Sequence, residues 1–325
     1  MKTRIAAILI LSVVAALSQD YPSLEISNGI LKAGLHLPDA EKGSYRATRF
    51  DWSGILYSLE YKGHQYFGRW YQKHDPLIND AITGPVESFD PDESLWGYAD
   101  AKPGDLFLRI GVGHAIRTDS RAFSPYTTYK VADPGKWTVT SGKNWVEFQH
   151  TVSDRIGYAY VYTKRITLTE GKPEMVISHS LRNTGRKAIR GTQYNHNFFV
   201  IDKQPSGPGY RVIFPFQLKA LGSFRGMLEA QGNELIFFKE FQGNQSVQSF
   251  LEGFGPGAKD YDIRVENRPA GAGVRITSDR PMAKLNFWTR RETVCPEPYV
   301  ALEAAPGKTE RWVYRYVFYT LGERR

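Results

Sequence analysis

Apolar and polar residues alternate with a period of two along most of this chain. Ile55–Tyr61 and Trp145–Val152 show the pattern clearly. So do Tyr158–Tyr162 leading into Arg165–Thr169, then Met175–Leu181 and the closing run Arg311–Tyr319. In an extended chain successive side chains point to opposite faces, so each run predicts a half-buried strand. Turn residues separate the runs at short intervals, as at Pro134-Gly135, Gly171-Lys172-Pro173 and Pro306-Gly307. Only Pro76 to Thr83 and Leu218 to Gln231 read as short helices. The expectation is an all-β protein, a large antiparallel β-sandwich. No repeat, low-complexity tract or linker divides it, so residues 19–325 are expected to form one domain.

The first residues differ from the rest. Lys2 and Arg4 open the chain, an apolar run follows from Ile5 to Leu17, and Ala15, Ala16 and Ser18 are small. This is the order of a secretory signal peptide, and the run is short for a bilayer crossing. Residues 1–18 are therefore expected to be removed on export, leaving a periplasmic or extracellular protein with no stable membrane insertion. A retained N-terminal anchor is the alternative.

Composition supports a folded body: 41% hydrophobic and 23% charged residues suffice for a large core. The single cysteine, Cys295, rules out an intrachain disulfide. The formal charge of +8 falls to +6 without Lys2 and Arg4, and the basic residues are scattered. An exported protein without a basic stripe is a poor nucleic-acid partner. Nothing in the sequence reports an oligomeric state.

Two segments could carry chemistry. In Gly191–Phe199, alternation puts Tyr194, His196 and Phe198 on one strand face and Gln193, Asn195 and Asn197 on the other. A histidine flanked by rings can donate a proton near neutral pH, although a buried structural histidine fits the spacing as well. In Thr293–Tyr299, Glu297 stands between Pro296 and Pro298. Both neighbours have a locked φ, which stiffens the presentation of the carboxylate. That suits a general base, and equally a glutamate exposed in a turn. Cys295 reads as packing, because no histidine lies near it in sequence. The histidines are dispersed without a His-x-x-x-His pair, and neither a Gly-x-Ser-x-Gly motif nor a phosphate loop is present. No metal or cofactor is expected.

Tyr194-Asn195-His196-Asn197-Phe198-Phe199 resembles the Asn-His-x-(Tyr/Phe)-Phe segment of aldose 1-epimerases. Val294-Cys295-Pro296-Glu297-Pro298 resembles the (Leu/Val/Ile)-Cys-x-Glu-Pro segment of the same galactose mutarotase-like superfamily. Pro306-Gly307-Lys308-Thr309 and the following strand are similar to that family's ending, and Ser44–Phe50 with Leu56–Tyr66 to its opening strands. The resemblance implies a mutarotase-like supersandwich, a sugar or glycan ligand, Glu297 as base and His196 as acid. An epimerase is then expected to place these two across one cleft, about a sugar ring apart. Arg46, Arg49, Glu87, Tyr194, Asn195, Asn286 and Trp288 are the expected sugar contacts. The family's His-Gly-Gly segment has no counterpart; Thr83–Phe89 stands there, and Glu87, His74 or His114 is expected to fill its place. The family's sugar-binding aspartate has no match either. A non-catalytic carbohydrate-binding protein, using Trp52, Trp70, Trp96 and Trp288, is the alternative. A lyase or hydrolase would need a second catalytic carboxylate or a tyrosine in the cleft, for which Glu87 is the candidate.

Overall fold

The computed structural model describes residues 21–322. The expected signal segment lies outside the described residues. Two large antiparallel sheets dominate. One has ten strands, in the order 228–231, 234–237, 210–213, 262–267, 272–278, 309–320, 174–183, 160–168, 145–152, 136–141. The other has six, in the order 219–220, 246–252, 284–290, 293–304, 189–196, 86–91. A four-stranded sheet built from residues 23–65 and a three-stranded sheet from residues 106–133 flank them. The all-β sandwich is therefore as expected. Among the described residues no helix is long and apolar enough to cross a membrane.

Period-two patterning explains the packing. In Thr309–Thr320 the residues Trp312, Tyr314, Tyr316 and Phe318 are fully buried while their neighbours are not. Each large apolar side chain buried this way stabilises the fold by about 1.5–3 kcal/mol. Polar contacts fix how the sheets sit. The Tyr316 hydroxyl accepts from Asn195 Nδ2 at 2.9 Å and donates to Asn197 Oδ1 at 2.8 Å. Tyr314 donates to Gln193. The ten-stranded sheet thus faces the Gln193–Asn195–Asn197 side of the strand Ile189–His196, and its other side is left for a cleft.

Neither expected helix forms. Over residues 76–83 the chain makes single turns, because Asn79 is engaged elsewhere. Its Oδ1 accepts from the Thr48 and Arg49 amides, and its Nδ2 donates to the Tyr126 carbonyl. Residues 218–231 hold two short strands, Lys219–Ala220 and Leu228–Gln231, separated by a turn with Gly226 at φ +68°.

Candidate functional site

Sheet register assembles the site. Tyr194 pairs with Tyr299, Asn286 with Glu297, and Trp288 with Cys295. Continuing the first ladder by two residues sets His196 beside Glu297, so His196, Glu297 and Asn286 form a row across three neighbouring strands. The prolines shape this row. Glu297 sits inside the twelve-residue strand Thr293–Ala304, not in a turn. Its ladder with Ile189–His196 stops at Tyr194–Tyr299, next to Pro298. Proline has no N–H to continue it. Asn197 Nδ2 instead donates to the Pro296 carbonyl at 2.7 Å. The chain then turns sharply: Phe198 has φ +41°. That conformation costs a non-glycine residue roughly 1–2 kcal/mol. In return, the Phe198 ring folds back onto His196, with centroids 3.7 Å apart and planes at 8°. Trp70 stacks on the other side of Phe198 at 4.8 Å. Gly84 permits the close approach here, since a Cβ on it would meet the His196 carbonyl at 2.6 Å.

The cleft above this row holds about 150 Å³. Its catalytic-type side chains are His196 and Glu297, and Arg49, Asp80, Tyr194, Gln248 and Asn286 supply further polar atoms. Trp70, Phe198, Trp288, Tyr126 and Tyr299 add aromatic side chains to the lining. His196 Nε2 stands 3.1 Å from Glu297 Oε1. The two are therefore side by side and not a sugar ring apart. Glu297 Oε2 accepts from Asn286 Nδ2 at 2.8 Å, and Asn286 Oδ1 accepts from Gln248 Nε2 at 3.2 Å. On the other edge of the imidazole, Nδ1 lies 2.9 Å from Cys295 Sγ. Arg49 pairs with Asp80, reaches the Tyr194 hydroxyl at 3.5 Å, and lies over the Phe50 and Tyr126 rings.

Burial sets the electrostatics. It pushes the Glu297 carboxyl up to about 7, against the opposing pull of the Asn286 amide and Arg49. Burial, with the Arg49 charge nearby, holds the His196 imidazole well below its usual value. Burial also pushes the Tyr194 hydroxyl up to about 12, despite Arg49. A carboxyl that ionises near 7 when folded and near 4.5 when unfolded weakens the fold as pH rises between those values. Glu297→Gln is thus expected to stabilise the protein at pH 8 by on the order of 2 kcal/mol, with the gain shrinking toward pH 5. Denaturant titrations at both pH values check this; a gain independent of pH would contradict it.

Three expected contacts are corrected. In the pairing of 86–91 with 189–196, His196 meets Val86 and Asn195 meets Glu87. Glu87 and Asn195 therefore share the inner face. Glu87 is fully buried between the sheets, against Lys164 and His179, and cannot contribute to sugar preference or serve as a second catalytic carboxylate. Asn195 is occupied by Gln193 and Tyr316. Arg46 lies outside the cleft lining, with its charge near Tyr21 and Asp39. His74 contacts Tyr71 and His114 is fully buried, and neither lines the cleft. Trp52 and Trp96 are core residues, whose indole N–H groups donate to the Ala47 and Arg190 carbonyls. Arg49, Tyr194, Asn286 and Trp288 do line the cleft, with His196 and Glu297. Asp80, Tyr126, Gln248 and Tyr299 were not anticipated. Tyr299 shares a strand face with Glu297, so alternation could have found it. Asp80 and Tyr126 arrive from loops, which carry no periodic signal.

His196, Cys295 and Glu297 each offer a metal-binding atom, all within 4.8 Å of one another. Yet thiol and carboxylate meet different ring nitrogens. An ion held by one nitrogen would have to draw one of those partners around the ring. The arrangement is better suited to proton transfer than to ligation.

No family model and no curated protein sequence matches the chain. Solved structures do. The Slr1438 protein from Synechocystis sp. PCC 6803 superposes with a TM-score of 0.55 at 12% identity, covering 93% of this chain and 97% of that one. A galactose mutarotase-like protein from Lactobacillus casei ATCC 334 gives 0.54 at 12%, covering 91% and 100%. An aldose epimerase homologue from C. elegans gives 0.52 at 11%, covering 93% and 100%. The chain has the galactose mutarotase-like fold, in a form far diverged in sequence.

Proposed function

We propose that the cleft binds an aldose and interconverts its anomers by acid–base catalysis. The observation that carries this reading is the 3.1 Å approach of His196 Nε2 and Glu297 Oε1 in a ring-lined cleft. Ring opening takes the proton from O1–H and delivers one to the ring oxygen O5. Both oxygens are bonded to C1, so an adjacent acid and base on one side of the ring can reach both. The pair's one exchangeable proton crosses from Glu297 Oε1 to His196 Nε2, 3.1 Å away, and Glu297 then takes the O1 proton as His196 protonates O5. The C1–O5 bond breaks, the C1–C2 bond rotates, and closure onto the other carbonyl face reverses both transfers. Each positioned transfer contributes on the order of 10²–10⁴ in rate. Trp288, the half-buried ring of the lining, offers an apolar surface to the C–H side of a pyranose, while Arg49, Asp80 and Gln248 are placed for its hydroxyls. With the expected signal peptide, the reaction would run outside the cytoplasm.

Polarimetry on freshly dissolved aldoses tests the proposal directly. The pure protein is expected to speed the approach to anomeric equilibrium for at least one sugar of the panel. Sugar binding by calorimetry without any acceleration would instead support the non-catalytic binding protein. Trp288→Ala is expected to weaken binding about tenfold, equivalent to about 1.4 kcal/mol. Unchanged affinity would remove Trp288 from the sugar site.

A further inference from the structure

We propose that Cys295 is a positioning residue that keeps a proton on His196 Nδ1, so that proton exchange is confined to the Nε2 edge beside Glu297. This rests on the acid–base reading above and adds a component to it. Cys295 and Glu297 lie two positions apart on one strand, hence on the same face and about 7 Å apart along it. The imidazole of His196 fits between them, with Nδ1 2.9 Å from Sγ and Nε2 3.1 Å from Oε1. Cys295 is fully buried, and its sulfur also accepts the Phe198 backbone N–H at 2.8 Å. That amide is aimed at the sulfur by the left-handed turn at Phe198.

The chemistry decides the direction of the Nδ1 contact. A neutral imidazole carries one N–H, at either nitrogen. If the thiol donated to Nδ1, the ring proton would sit on Nε2. Giving that proton to O5 would then leave an imidazolate, which is inaccessible. If Nδ1 instead donates to Sγ, Nε2 is free to pick up and release a proton between imidazole and imidazolium. Histidines in such roles are commonly oriented by a carboxylate or carbonyl on the far nitrogen. A thiol does the same with a weak, uncharged acceptor. Burial pushes the Cys295 thiol far up, so it stays neutral. It fixes the tautomer without adding a negative charge that would stabilise the imidazolium, and the protonated ring remains a strong acid toward O5.

Nitrogen-15 NMR of the ring, with the His196 signals assigned by their loss in His196→Asn, reads the tautomer in the free wild-type protein. Nδ1 is expected to be protonated, and to remain so in Cys295→Ser, which retains an acceptor. Cys295→Ala is expected to shift the ring toward the Nε2–H form. Its kcat for anomer exchange should fall about 10–100-fold with KM unchanged, and Cys295→Ser should recover most of that loss. An unprotonated Nδ1 in the wild-type protein overturns the proposal, as does a Cys295→Ala ring with wild-type tautomer and kcat. The NMR measurement needs no turnover. If the protein binds sugar without exchanging anomers, the epimerase reading fails while the tautomer result still decides the role of Cys295.

Discussion

Glu297→Gln is expected to lower anomer exchange by about 10²–10⁴-fold while leaving sugar binding within a few-fold of wild type. Glutamine keeps the shape and can still accept from Asn286 Nδ2, but it cannot take the O1 proton. The wild-type pH profile should be bell-shaped. At 3.1 Å, His196 and Glu297 titrate as a pair, and the reaction needs one exchangeable proton on that pair together with one vacant basic site. Burial raises Glu297 to about 7, so the proton leaves as pH rises through that region and kcat/KM falls on the alkaline side. Burial lowers His196 well below its ordinary value, so a second proton binds only in clearly acidic solution, and that gives the acid limb. Polarimetry from pH 4 to 9 checks both limbs. Wild-type exchange in Glu297→Gln, or a rate still climbing at pH 9, would remove Glu297 from the reaction.

Lys164→Met is expected to destabilise the fold by about 3–5 kcal/mol. Lys164, Glu87, Asp51 and His179 are all fully buried between the two large sheets. Lys164 Nζ contacts Glu87 Oε2, donates to the Ser53 carbonyl at 2.8 Å and lies 3.7 Å from Asp51 Oδ2. His179 Nε2 donates to Glu87 Oε1 at 3.0 Å. Burial works to raise Glu87, but the Lys164 charge and the His179 bond outweigh it and lower it. Asp51 is raised to about 6 by burial, against Lys164 and with Glu87. Methionine would leave two carboxylates in the interior without their cation. Protonation relieves that cost, so the defect should be larger at pH 8 than at pH 5. Glu87→Gln in the same chain should recover part of the loss, since removing both charges spares the interior an unpaired ion. Denaturant unfolding at the two pH values measures this. A loss below about 1 kcal/mol, or no recovery in the double variant, would show that the cluster does not hold the sheets together.

Alternation made the strands legible because a buried face requires apolar residues at every second position. Ile55–Tyr61 and Trp145–Val152 coincide with the strands formed. The same rule placed Tyr194, His196 and Phe198 together, and it held against Asn195, which faces the other sheet. Applied to Val86–Phe89, it would also have excluded Glu87, which shares its face with the core residue Phe89. The expected helices failed for a different reason. Asn79 is bound by residues far away in sequence, and no local propensity encodes such a bond.

Sequence alone determined an antiparallel β-sandwich, the strand faces, and the two residue types able to exchange protons, because these follow from local spacing and side-chain chemistry. Only the tertiary structure decided that His196 meets both Cys295 and Glu297. That contact depends on which strands become neighbours, on their register, and on the turn at Phe198. Residues about a hundred positions apart cannot announce their shared face in one dimension, so the interior placement of Glu87 with Lys164 and the loop-borne cleft residues Asp80 and Tyr126 emerged with the fold.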